Sequence, residues 1–164
     1  MTTEVDRNTT YSHGEILAIP VAASALIPAG TLVCTNTDGF AVPAADAAGY
    51  VFEGVATERV DNADGEDGDL AVIVLRRDRF RFAAHPCVAQ DDMSGRCCVY
   101  ENDTVCSAAM TAHAVFCGRV SRVVSPACVD VDVFLSVLGG RSMHEDACTT
   151  TTHAGTTTTT TEPS

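Results

Sequence analysis

The chain predicts an all-β protein: a small β-barrel or sandwich from two pseudo-repeated β units, with an extended N-terminal arm and a Thr-rich C-terminal tail. Three observations predict it. The apolar residues, 46% of the sequence, are mostly Ala, Val and Cys, with 5% aromatic residues and no Trp. Such small, often β-branched side chains suit a pleated sheet better than a helix. Short apolar runs alternate with turn signals such as Asp38-Gly39. The phrase VFEGVATERV, beginning at Val51, returns 64 positions later as VFCGRVSRVV, beginning at Val115. A strand written twice implies a unit built twice.

Taken in order, residues 1–29 start polar and turn apolar at ILAIPVAASALIP (Ile16–Pro28), where two prolines forbid a long helix. This stretch reads as an extended arm, with an ordinary first edge strand as the other reading. AGTLVCTNTDGFAVPA (Ala29–Ala44) is two short apolar runs about an Asp-Gly turn, a hairpin. A strand over the Val51 phrase follows. The acidic stretch from Asp61 to Asp69 is too polar and Gly-rich to be anything but a loop. LAVIVLRRDRFRF (Leu70–Phe82) is apolar on both faces and then alternating, which suits one strand that enters the core and leaves at the surface.

The second half repeats the plan. SGRCCVYENDTVCSAA (Ser94–Ala109) matches the first hairpin, with Gly95 in the place of Gly30 and Asn102-Asp103 near the turn. AVFCGRVSRVV matches the strand after it, and VDVDVFLSVL closes the unit, with Val129, Val131, Val133 and Leu135 on one face and Asp130 and Asp132 on the other. The units are expected over 30–82 and 95–136. Gly54 and Gly118, at matching places, predict a bulge or a close approach of another backbone. Neither unit alone has enough strands to hide its apolar face, so both pack into one body.

Charge narrows the partners. The formal net charge is -12, and all ten basic residues are Arg. No nucleic acid partner is expected of so acidic a chain. The absence of Lys removes the phosphate-cradling and Schiff-base lysines, and GxxxxGK[ST] does not occur. No apolar run approaches the ~20 residues of a membrane helix, so no membrane partner is expected. The eight Cys read first as small buried hydrophobes, with a disulfide among them as the alternative.

IPAGTLVCTNTDGFAVPAADAAGYVFEGVATERV, GDLAVIVLRRDRFRF and the second round VFCGRVSRVVSP with VDVDVFL together resemble the capsid cement, or head decoration, proteins of tailed phages. The likeness covers roughly residues 16–136 and lies in the order and double occurrence of the motifs: an apolar Ala-Gly opening, an Asp-Gly turn, a Gly-Val-Ala strand and a Val-rich closing strand. The second unit departs from the pattern, with Cys-Gly-Arg-Val for Gly-Val-Ala. The resemblance implies a β decoration domain over 30–140, flanked by the arm and by a tail over 141–164. It implies a noncatalytic protein, made in the host cytoplasm, that sits on the outer surface of the capsid, bound to the major capsid protein and to itself as a homotrimer. A virion-surface ligand- or glycan-binding β module is the alternative reading.

The residues agree with a protein that has no catalytic centre, metal or cofactor. The five His lie in no spacing of known mechanics. Ser94 stands near Asp91, Asp92 and His85, but GxSxG is missing and Ser-Gly in a polar stretch is usually a turn. Cys97, Cys98, Cys106, His113 and Cys117 are the zinc candidates, yet adjacent Cys on a strand point to opposite faces and no CxxC knuckle is present. The acidic loop fails as a calcium hand, because Ala63 breaks the ligand series and the twelfth position holds no Glu.

Two groups remain as candidate capsid or subunit contacts. Ile16, Leu17, Ile19, Leu26 and Ile27 belong to the arm, and extended arms enlarge contact area without enlarging a core. Arg77, Arg79 and Arg81 share one face of a strand, with Asp78, Phe80 and Phe82 on the other. Three like charges in a row repel, so carboxylates are expected across from them, from this chain or from a partner, with a merely solvated row as the plainer reading. The tail has ten Thr among residues 149–161, a composition that forms no core by itself.

Overall fold

The computed structural model describes residues 14–134, which form twelve strands and two single-turn 3-10 helices. The first unit holds β1 (Ile16–Pro20), β2 (Ala25–Ile27), β3 (Leu32–Thr35), β4 (Ala41–Pro43), β5 (Val51–Ala56), β6 (Val60–Asn62) and β7 (Ala71–Leu75). Five of these make an antiparallel sheet in the order β1-β7-β5-β3-β4. A parallel bridge from Val21 to Ala41 draws its two edges together. The β2–β6 ribbon adds Ala25, Ile27 and Val60 to the same core.

The second unit holds β8 (Arg77–Ala84), β9 (Arg96–Val99), β10 (Thr104–Ser107), β11 (Phe116–Ser125) and β12 (Cys128–Phe134). They form a closed barrel in the order β10-β8-β12-β11-β9, shut by the parallel pairing of β10 with β8. Strand for strand this is the first sheet again: β8 stands for β1, β9 for β3, β10 for β4, β11 for β5 and β12 for β7. Single hydrogen bonds repeat as well. The Gly30 amide donates to the Ala56 carbonyl at 2.8 Å, and the Ser94 amide donates to the Val120 carbonyl at 2.8 Å. The Ala22 amide donates to the Ala41 carbonyl at 3.0 Å, and the His85 amide to the Val105 carbonyl at 2.9 Å.

The all-β prediction and the doubling hold, but three readings of the sequence need correction. Ile16 to Ile27 is not an arm: β1 is an edge strand and β2 half of a ribbon, because alternate side chains such as Ile19 and Val21 drop into the core. Residues 1–13 of the expected arm, the tail over 141–164 and Leu135 lie outside the described residues. LAVIVLRRDRFRF is not one strand either. It breaks at Arg76, so that β7 closes the first unit and β8 opens the second. The first unit therefore spans 16–75 rather than 30–82, and the second starts at Arg77 rather than Gly95; its expected end at 136 lies outside the described residues. Finally, Ser94 rather than Gly95 takes the place of Gly30. Both adopt left-handed backbone, φ 77° at Gly30 and 64° at Ser94, and the repeated hydrogen bonds align them.

Two cores carry the fold. Ile19, Val21, Ile27, Val33, Val72 and Val74 fill the core of the first unit. The second core combines the inner face of the closed barrel, including Phe82, Val129, Val131 and Val133, with Leu32, Cys34, Phe52 and Val55 of the first unit. Strand β3 explains the join, since Leu32, Val33 and Cys34 are consecutive, all fully buried, and point alternately into the two cores. The Leu32 amide also donates to the Asn102 carbonyl at 2.7 Å, tying β3 to the turn of the second hairpin.

Gly54 and Gly118 occupy the predicted tight spots. The β3–β5 ladder shifts register between Val33 and Cys34, opposite Gly54, and the β9–β11 ladder shifts between Phe116 and Gly118. A Cβ at Gly54, where φ is 151°, would sit 2.5 Å from the Leu75 carbonyl oxygen, and one at Gly118 would press on the Asp132 carbonyl oxygen.

Candidate interaction surfaces

The outer face of the second barrel is built from alternation. On β12, Val129, Val131 and Val133 point inward and are buried, which forces Asp130 and Asp132 outward. Register places Arg81 across from Asp130 and Arg79 across from Asp132 on β8, and Arg122 and Arg119 across from the same two carboxylates on β11. Arg81 Nε donates to Asp130 Oδ1 at 2.7 Å and its Nη2 to Oδ2 at 3.3 Å, a bidentate pair. Arg122 adds Nε to Asp130 Oδ2 at 2.9 Å. Arg79 Nε donates to Asp132 Oδ1 at 2.7 Å, and Arg77 meets Glu15 at 3.4 Å. The carboxylates that the arginine row demands therefore come from this chain. Arg81, then Arg122, holds the Asp130 carboxyl below its ordinary value of 3.8, while Asp132 raises Arg79 and Asp130 raises Arg81.

The same positions in the first sheet carry different chemistry. Ile16 pairs with Leu75 and Ala18 with Ile73 on β1–β7, where β8–β12 pairs Arg79 with Asp132 and Arg81 with Asp130. Ile16 is 61% exposed and Ile73 39%. One outer face of the duplicated unit is thus a charged ladder, and its counterpart is apolar and open.

The predicted contact residues separate accordingly. Ile16, Leu17 and Leu26 are on the surface, whereas Ile19 and Ile27 are buried and line the first core. Arg77, Arg79 and Arg81 are exposed, but burial alternates only from Arg79 onward: Asp78, with φ 137°, is exposed as well. Sequence reasoning left out Ile73 on β7, and Arg96, Arg119 and Arg122 on β9 and β11. Ile73 is legible only once β1 is known to pair with β7. An open depression of about 400 Å³ lies beside the ladder, lined by Arg77, Asp78, Arg79, Asp132 and Val133.

The zinc candidates are dispersed by the sheet. Cys97 and Cys117 lie in the second core, where Cys117 Sγ approaches the Cys97 carbonyl at 3.3 Å, while Cys98 lies across from Cys106 in the second hairpin. Among the described residues no three His, Cys, Asp or Glu side chains are grouped to hold a metal ion. Burial pushes the thiols of Cys34, Cys98 and Cys106 up to about 12. The acidic loop is ordered from within. The buried Asn62 amide donates to the Ala22 and Glu66 carbonyls, both at 2.9 Å, and Asp69 accepts from the Glu66 amide at 2.8 Å.

Searches of family models, of curated proteins and of solved structures return no match to this chain.

Proposed function

We propose that this protein is a capsid decoration protein of a tailed phage, binding the outer surface of the head and stabilising the shell. The doubled motif order that resembles that family supplies the class, and the apolar outer face of β1–β7 is the observation that carries the reading. Exposed Ile16, across from Leu75, and exposed Ile73, across from Ala18, stand where the duplicate unit places ion pairs, and exposed apolar patches mark contact sites. The partner is the major capsid protein, the copies act as a homotrimer, and no residue performs chemistry.

The test is binding to particles. Purified protein is added to heads lacking it, and occupancy is read by cryo-electron microscopy together with resistance of the heads to heat or chelator. Saturable, symmetric density and tougher heads are expected, with occupancy falling for Ile16→Ser combined with Ile73→Ser. Bare heads at saturating protein would reject the proposal. Glycan binding with head strength unchanged would favour the virion-surface ligand module instead.

A further inference from the structure

The second barrel gathers positive charge on a strongly acidic protein. Arg77, Arg79, Arg81, Arg96, Arg119 and Arg122, six of the ten arginines, project from the outer face of β8, β12, β11 and β9. Among the described residues, Asp130, Asp132 and Glu15 are the carboxylates paired with them. The excess sits at one end. Arg96 and Arg119 are register partners on neighbouring strands, and like charges set directly opposite destabilise a sheet. Among the described residues neither meets a carboxylate: Arg119 Nη1 donates to the Ser94 carbonyl at 3.0 Å, and Arg96 lies 5.5 Å over the Phe116 ring.

The opposite charge is in the first unit. The loop from Asp61 to Asp69 exposes five carboxylates, of which Asp61 meets Arg59 at 3.4 Å. Asp67 and Asp69 are turned back onto the Ala23 and Glu66 amides, leaving the Asp64 and Glu66 carboxylates without a partner among the described residues. No ion pair or hydrogen bond described within one chain joins this loop to the arginine face. Asp132, the other cross-strand neighbour of Arg119, spends its short contact on Arg79, so Arg96 and Arg119 are left without an ion pair on the face, as Asp64 and Glu66 are on the loop.

The geometry points to a head-to-tail contact between copies, in which Asp64 and Glu66 of one chain dock on Arg96 and Arg119 of the next. Guanidinium forks suit carboxylates, and the match of signs favours a second copy as the occupant. Because the two patches differ, the contact is heterologous and its repetition generates a ring or an open chain. The contact deepens the homotrimer of the proposed function, whose ring it would close, but it needs no shell: protein that stays monomeric yet still fills heads fails this inference alone, and protein that associates yet leaves heads bare fails the decoration reading alone.

Self-association of the full chain, without particles, is the measurement: sedimentation velocity and light scattering across ionic strength. Association at low salt that weakens as salt screens the charges is expected. Arg96→Glu with Arg119→Glu, and separately Asp64→Arg with Glu66→Arg, each weaken it by about tenfold or more, and the four changes together restore it. Circular dichroism checks that each variant is folded, and the loop pair serves if the arginine pair is not. A wild type that stays monomeric at low salt overturns the inference, as do variants that associate like wild type or a fourfold variant that fails to recover.

Discussion

Asp130 accepts from Arg81 on one side and Arg122 on the other, so a single carboxylate on β12 clamps β8 and β11 across the outside of the barrel. Its folded-state pKa is lowered, chiefly by the Arg81 hydrogen bond. A carboxyl in this position contributes stability that is complete above its ordinary value of 3.8 and is lost as pH falls through the lower, folded-state value. Asp130→Asn should lower the melting temperature at neutral pH more than Asp132→Asn, because Asp130 accepts from two arginines and Asp132 from one. Thermal melts from neutral to strongly acid pH should also show a shallower acid-side decline for Asp130→Asn than for the wild type.

Gly54 and Gly118 should tolerate no side chain. Alanine at either would drive a methyl group into a carbonyl on the adjacent strand, and at Gly54 it would also impose an unfavourable φ. Each substitution should cost about 2 kcal/mol or more, measured by urea unfolding. Gly39→Ala, where a Cβ meets open space, should cost less and mainly through its left-handed backbone.

The pair Gly30 and Ser94 offers a reciprocal experiment. Both hold left-handed backbone at the same point of the duplicated unit. Ser94→Gly should raise stability by about 1 kcal/mol and Gly30→Ser should lower it by a similar amount, with opposite shifts of the urea midpoint.

Thiol labelling should follow burial. Thiols pushed up to about 12, those of Cys34, Cys98 and Cys106, carry about a thousandfold less thiolate at mildly alkaline pH than ordinary cysteines with a value of 9.0. Iodoacetamide and mass spectrometry on native protein should find modification at the half-buried Cys87 and Cys128 well before these three. Unfolding should make all of them reactive.

The hairpins, the twin strands and the tight glycines were legible because each has a local signature: an Asp-Gly turn, a run of alternating Val, a Gly in an otherwise apolar strand. The break at Arg76 was not, since nothing between Leu75 and Arg77 is a turn residue. What splits that run is nonlocal, the need of β12 for a partner whose arginines match Asp130 and Asp132. The status of Ile16–Ile27 was ambiguous for a related reason. An edge strand and an arm share composition and differ only in whether β7 lies alongside. The row Arg77, Arg79 and Arg81 correctly demanded carboxylates, but alternation on β12 alone does not say that the two strands would meet.

Sharing β3 between two cores has a consequence during synthesis. When the first 75 residues have left the ribosome, Leu32, Cys34, Phe52 and Val55 have no second barrel to cover them, and the emerging half presents a greasy flank until β8 to β12 arrive. The nascent chain therefore passes through a sticky stage whose duration is set by translation of the remaining strands, and a silent change that slows elongation just after codon 75 would reduce soluble yield without altering the finished molecule.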